Sequence, residues 1–190
     1  RQLIEGAFSS VTTGQPYSAN GLFSFGQDDT RQTIQIDAAI DGDVADAARR
    51  LAREAEALSS GEILVAGGEP TVRARLPILV AKLAALGVDL ALTTNGATLG
   101  LMADDLAAAG LGRINISIDS LRADRFRELT RRDALPEVLE GIDAAVAAGF
   151  DPVKVDVVLM RGVNDDEMVD FARFGRDKGV QVRFVEFMPL

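Results

Sequence analysis

The run Ile63-Leu64-Val65-Ala66-Gly67-Gly68-Glu69-Pro70 is the stretch of this chain best suited to chemistry. Its apolar residues make a buried strand. Gly67 and Gly68 let the backbone turn tightly, or admit a ligand where a Cβ would clash. Glu69 puts a carboxylate at that turn, and Pro70 favours an extended residue before it and can open a helix. Strand tips of this kind are where α/β sheets and barrels bind ligands. The same residues also suit a plain βα turn carrying a surface glutamate. Comparable positions hold Thr93, Thr94 and Asn95, then Ser117, Asp119 and Ser120, then Glu186 and Met188, while Lys154 lies near the start of its strand. Hydroxyls and amides fit a polar small molecule, and one ammonium fits an anionic group on it. Read locally, Thr93, Thr94 and Asn95 are turn formers and Asp119 and Ser120 suit a helix cap. Lys154 equally suits a solvated strand end, and Met188 core filling. Arg131-Arg132-Asp133 reads as a charged surface corner. Asn164-Asp165-Asp166-Glu167 reads as a helix start with acids in its first turn.

The elements that must position these residues repeat. Helices are expected over 43–58, 71–86, 98–109, 122–129, 134–148 and 165–178, most of them stopped by glycine. Short apolar strands are expected over 62–66, 88–93, 113–118, 153–159 and 180–187. A first strand falls either at 7–12 or at 33–36, and 13–30 reads as a long loop rich in Gly, Ser, Thr, Asn and Gln. Such βα alternation gives a parallel sheet whose Val- and Ile-rich strands are buried on both sides. A full eight-stranded barrel takes about 250 residues. With five strands and one doubtful first strand, the expected fold is α/β, an open partial barrel or a piece cut from something longer, with a βα core over 43–190 preceded by an irregular segment over 1–42.

Composition narrows the chemistry. The chain has 190 residues, 47% of them hydrophobic, and a net charge of −9. An acidic chain without a basic run argues against nucleic-acid binding. No apolar run reaches the ~18 residues of a membrane span. The first residues lack the charged-then-apolar order of a signal peptide, so the expectation is a cytoplasmic protein. The sequence contains no cysteine and no histidine. That removes disulfides, thiolate-held iron–sulfur clusters, Cys/His zinc sites and Cys- or His-based catalysis. Carboxylates, Lys, Arg, hydroxyls, backbone groups or a bound cofactor remain.

Several motifs occur in order: Ala66-Gly67-Gly68-Glu69-Pro70, Leu92-Thr93-Thr94-Asn95-Gly96, Arg113-Ile114-Asn115-Ile116-Ser117-Ile118-Asp119-Ser120-Leu121, Thr130-Arg131-Arg132-Asp133, Pro152-Val153-Lys154-Val155, Arg161-Gly162-Val163-Asn164-Asp165-Asp166-Glu167 and Arg183-Phe184-Val185-Glu186-Phe187-Met188-Pro189-Leu190. Together they resemble the GTP 3',8-cyclase family of radical S-adenosylmethionine (radical SAM) enzymes, over about residues 62–190. The family makes the first intermediate of molybdenum-cofactor biosynthesis, and the resemblance implies its α/β fold, a six-stranded partial barrel of the TIM type, which accounts for the strand count. The resemblance implies that Gly67, Gly68, Glu69, Ser117 and Met188 line an S-adenosylmethionine site, and that Thr93 and Lys154 contact GTP or a related nucleotide. It also implies a [4Fe–4S] cluster, held by a Cys-x-x-x-Cys-x-x-Cys loop. Aligned on the family, Gln15, Ala19 and Leu22 stand where those cysteines belong, and Phe8 and Leu64 stand where it has basic residues. The cluster's ligands are thus missing, and no catalytic residue or metal ligand is assigned. The expectation is a cyclase-type core that is inactive as it stands. The alternatives are a non-catalytic nucleotide- or S-adenosylmethionine-binding or interaction module, and a cluster-free enzyme using Glu69, Asp119 or Lys154 as acid or base. An uncovered sheet edge calls for a partner, a second copy of the chain, or the C-terminal part that the family carries.

Overall fold

The computed structural model describes residues 25–28, 31–37, 61–66, 68–85, 87 and 89–187. The strand weighed at 7–12 and the helix expected over 43–58 lie outside these residues, as do Gly67 and Met188. The chain divides into two compact units. One runs to Leu92 and includes Ala108–Gly112, and the other holds Thr93–Ala107 and Arg113 onward.

In the first unit, β1 (Phe25–Asp28) pairs antiparallel with β2 (Arg31–Asp37). The alternating Thr33-Ile34-Gln35-Ile36 is thus a strand, while the end of the expected 13–30 loop is a strand too. β2 runs parallel to β3 (Gly61–Ala66), and β3 runs parallel to β4 (Asp89–Thr94) with Val65 opposite Leu92. Leu90, Ala91 and Leu92 are all buried, as in a strand covered on both faces. The helix expected over 71–86 is shorter. The chain first makes a 3-10 turn at Pro70–Val72, passes through Arg75 in the left-handed region (φ 62°), and starts α1 at Leu76–Ala84. Pro77 explains the late start. It has no N–H to give and its ring would clash one turn back, so it fits only the first turn of a helix. Leu76, Leu79, Val80 and Leu83 form the buried stripe of α1.

In the second unit, β5 (Arg113–Ser117), β6 (Val153–Leu159) and β7 (Gln181–Glu186) run parallel in that order. The helices are α2 (Ala103–Ala108, whose last residue falls in the first unit), α3 (Ala123–Thr130), α4 (Leu135–Ala147) and α5 (Met168–Lys178). Short 3-10 turns at Leu99–Leu101 and Asp165–Glu167 replace the first turns expected of α2 and α5. The core gathers Leu99, Ile114, Ile116, Val155, Val157, Ile142 and Phe171, each fully buried. One expectation is corrected here. β5 and β6 are buried on one face only: Ile114 and Ile116 are buried while Asn115 is half-exposed and Ser117 exposed, and β6 alternates in the same way. Gly141 brings α4 against the chain after β4, since a Cβ there would run into the Gly96 carbonyl and the Leu99 side chain. Among the described residues no helix is long and apolar enough to cross a membrane.

Candidate functional site

The polar tip of the first unit is the turn after β3. Gly68 takes φ +55° and is exposed, with no atom within 4 Å of where a Cβ would stand. Glu69 accepts hydrogen bonds from the Thr71 N–H (3.0 Å) and the Thr71 hydroxyl (2.6 Å) through Oε1. It therefore caps the Pro70–Val72 turn as well as presenting a carboxylate at the strand end.

In the second unit the open face of the sheet carries two polar rows. Side chains alternate along a strand, and register partners share a face. In the lower row the Asn115 amide donates to Thr93 Oγ1 (3.1 Å), and Asn115 stands opposite Lys154. In the upper row Ser117 stands opposite Asp156, and Asp156 stands opposite Arg183. The Arg183 guanidinium grips Asp156 with two bonds of 2.6 Å, the forked geometry that suits a guanidinium. The rows are two residues apart, roughly 6.6 Å. Thr93, Ser117 and Lys154 are thus brought onto one face, with Lys154 one row below Ser117. Among the described residues, neither the Ser117 hydroxyl nor the Lys154 ammonium has a hydrogen-bond or ion-pair partner.

Beside Ser117 lies a cavity of about 230 Å³. Its polar lining is Asn95, Ser117, Asp119, Thr130 and Arg132, and Ile118, Phe126 and Val138 supply much of its apolar wall. Arg132, read from sequence as a surface corner, is therefore part of a concave site. Asp119 is half-buried. Burial pushes its carboxyl above the ordinary aspartate range, while the Val158 N–H it accepts at 2.9 Å pulls the other way. So Asp119 does not cap the following helix; its side chain ties β5 to β6.

The loops behind this face are bolted together. Asn164 is fully buried. It accepts from the Met160 N–H (2.7 Å) and donates to the carbonyls of Asp119 (2.8 Å) and Val158 (2.9 Å). Glu167, also fully buried, accepts from the Ser120 hydroxyl (2.8 Å) and the Leu121 N–H (2.7 Å), and pairs with Arg125. Arg125 also bonds Asp166, whose carboxyl it holds below the ordinary range. Sequence reading missed Asn115, Asp156, Arg183, Asn164 and Glu167. The first two were signalled by polar residues at every second place in Asn115-Ile116-Ser117 and Lys154-Val155-Asp156.

The arrangement can hold a small polar ligand with an anionic group. It does not fit an iron–sulfur cluster, which needs thiolates or, in some centres, imidazoles; the 190 residues contain neither cysteine nor histidine. Among the described residues, no group of acidic side chains is placed to hold a metal ion.

Residues 37–175 match the Radical SAM superfamily. The chain is 53% identical over 142 residues to the GTP 3',8-cyclase of Geobacter sulfurreducens, covering 74% of this chain and 44% of that one. It is 49% identical over 142 residues to the enzyme of the same name from Moorella thermoacetica, with the same shares covered. It thus spans less than half the length of these curated relatives. Among solved structures, TYW1 with a lysine-pyruvate adduct bound aligns with a TM-score of 0.65 at 14% identity, covering 97% of this chain and 81% of that one. The structure of anSMEcpe with bound AdoMet aligns with a TM-score of 0.60 at 16% identity, covering 74% and 39%. The fold these share is the α/β partial TIM-type barrel that the family resemblance implies. The chain belongs to the radical SAM superfamily.

Proposed function

We propose that this chain is the ligand-binding core of a GTP 3',8-cyclase, the radical SAM enzyme that converts GTP to the cyclic precursor of molybdopterin. The observation that carries the reading is the 53% identity with the Geobacter sulfurreducens enzyme. On this reading Gly67, Gly68, Glu69, Ser117 and Met188 hold S-adenosylmethionine, and Thr93 and Lys154 hold GTP. The chemistry supports those roles. A glycine at φ +55° lets a ligand approach the backbone closely. Glu69 accepts from Thr71 through Oε1, and a carboxylate is the acceptor that suits a ligand ammonium. The Ser117 hydroxyl can donate to or accept from a ribose or carboxylate oxygen. Lys154, half-buried on a polar face, supplies the charge that a phosphate needs. S-adenosylmethionine, when bound to a family cluster, supplies the radical. The residues of this chain do not fit that cluster, so binding and orientation are the steps assigned to it, and it is inactive as it stands. A cytoplasmic setting and a partner covering the sheet edge belong to the same reading.

Calorimetric titration of the chain with S-adenosylmethionine, with and without GTP, tests this. Saturable binding of both is expected, with Ser117→Leu weakening the first and Lys154→Met the second. No binding of either ligand would overturn the reading.

A further inference from the structure

We propose that Glu167 is a positioning residue that holds the β5 tip, and Ser117 and Asp119 with it, in its ligand-facing setting. The inference rests on the proposed reading of Ser117 as a ligand contact. Its sequence context, Asn164-Asp165-Asp166-Glu167, reads as a helix start with acids in its first turn, yet Glu167 is 0% exposed. Its carboxylate reaches 47 residues back along the chain to the turn that follows Asp119.

Three donors converge on it. The Ser120 hydroxyl lies 2.8 Å from Oε1 and 3.1 Å from Oε2, and the Leu121 N–H donates to Oε2 at 2.7 Å. The Arg125 guanidinium donates to Oε1 and to Asp166, so the buried charge is paired. Ser120 is itself fixed, because its Oγ accepts the Arg122 N–H at 3.0 Å. Immediately upstream, Asp119 accepts from the Val158 N–H and gives its carbonyl to Asn164. The Ile118 N–H closes the ladder on the Asp156 carbonyl at 3.0 Å. Each residue from Ile118 to Leu121 is thus tied to the chain between Asp156 and Glu167. An apolar contact would hold these loops together without direction, whereas a carboxylate with fixed donors sets both distance and orientation. Glu167 touches no ligand site itself. It acts through the turn it grips.

The test uses the whole chain with Glu167→Gln, and Arg125→Gln as a second variant should the first fail to fold. The glutamine side chain keeps the shape but turns an N–H₂ toward groups that already donate. Residue-resolved amide hydrogen exchange is expected to quicken about tenfold or more at Ile118, Leu121 and Val158, and to stay unchanged at Ile114, Ile116 and Val155 in the body of the sheet. The affinity for S-adenosylmethionine is expected to fall about tenfold. Val153→Ala, which loosens the core at the start of β6, the opposite end of that strand from the tip, serves as the control: it lowers stability without that affinity loss. Uniform acceleration along β5 and β6, or an affinity loss equal to the control's, would overturn the proposal by reducing Glu167 to a general stabiliser. Local acceleration in the Glu167→Gln variant, when the parent chain itself binds no S-adenosylmethionine, would support the holding of the tip and overturn the ligand reading instead.

Discussion

Replacing Asn164 by alanine is expected to destabilise the second unit by about 3 kcal/mol. The side chain is fully buried and makes three hydrogen bonds to backbone groups, at Met160, Asp119 and Val158. A neutral hydrogen bond contributes about 1 kcal/mol net, and a buried group left without a partner costs roughly 1–3 kcal/mol. Alanine orphans one N–H and two carbonyls. Water entering the gap would recover some of the loss, which keeps the total near the sum of the bonds rather than of the penalties. For a chain of this length 1 kcal/mol moves Tm by about 2–4 °C, so a fall of roughly 6–12 °C is expected in thermal unfolding. Asn164→Asp sharpens the argument. Its carboxylate can still accept from Met160 but faces the carbonyls of Asp119 and Val158, so at neutral pH it should lose at least as much as alanine. Crowding by two acceptors raises the new carboxyl's folded pKa above its unfolded value. Stability is then greatest below the unfolded value and declines as pH rises from there toward and through the raised one, so the aspartate variant should recover in acid while the alanine variant does not. An alanine variant within about 0.5 kcal/mol of the parent, or an aspartate variant as stable as the parent at neutral pH, would refute the bolt.

Three other outcomes are expected. Gly141→Ala should lower Tm although alanine is the better helix former by about 1 kcal/mol, because its Cβ meets the Gly96 carbonyl, and overpacking costs roughly 1–3 kcal/mol; an unchanged or raised Tm would count against the close approach. Asp119 has a raised folded pKa caused first by burial, so its contribution to stability is present in acid and lost as pH rises through that value. Asp119→Asn, whose amide oxygen can still accept from Val158, should therefore gain on the parent in urea titrations as pH rises from the ordinary aspartate range toward neutrality, and a pH-independent difference would contradict this. Lys154→Met should weaken GTP binding by about 10- to 100-fold, the range of one charge-assisted hydrogen bond, with little effect on S-adenosylmethionine; equal losses for both ligands would place Lys154 elsewhere.

The repeat of strand and helix was legible because glycine stops and Val- or Ile-rich strands are local signals. β3, β4, β5, β6 and β7 stand within two residues of where the pattern put them. What failed was also local. Pro77 cut the first turns from α1, and residues 99–101 closed i to i+3 instead of i to i+4. The strand at Phe25–Asp28 was hidden because its sequence, Phe-Gly-Gln-Asp, carries turn formers and acquires its strand character from pairing with β2. Among the candidate site residues, Thr93, Ser117 and Lys154 were legible by type and place. Asn164 and Glu167 were not, because a polar residue beside a helix start reads as a cap unless its distant partner is known. The bond from Glu167 to Ser120 spans 47 positions, and no short window of sequence contains both.

The pairing pattern itself separates framework from site. Asp156 with Arg183, Glu167 with Arg125, and Asn115 with Thr93 each join two elements. Ser117 and Lys154 share a face with the first and last of these pairs and, within the described residues, pair with nothing. The carboxylate one row above Lys154, which could neutralise it, is gripped by Arg183. That pair thus keeps Lys154 from being quenched internally, which is what an anion-binding lysine requires. Replacing Arg183 by methionine should release the Asp156 carboxylate toward Lys154. Anion affinity should fall at low salt even though the cation itself is untouched, and the double change Arg183→Met with Asp156→Asn should restore it. Failure of the second change to restore binding would show that Arg183 meets the ligand directly rather than acting through Asp156.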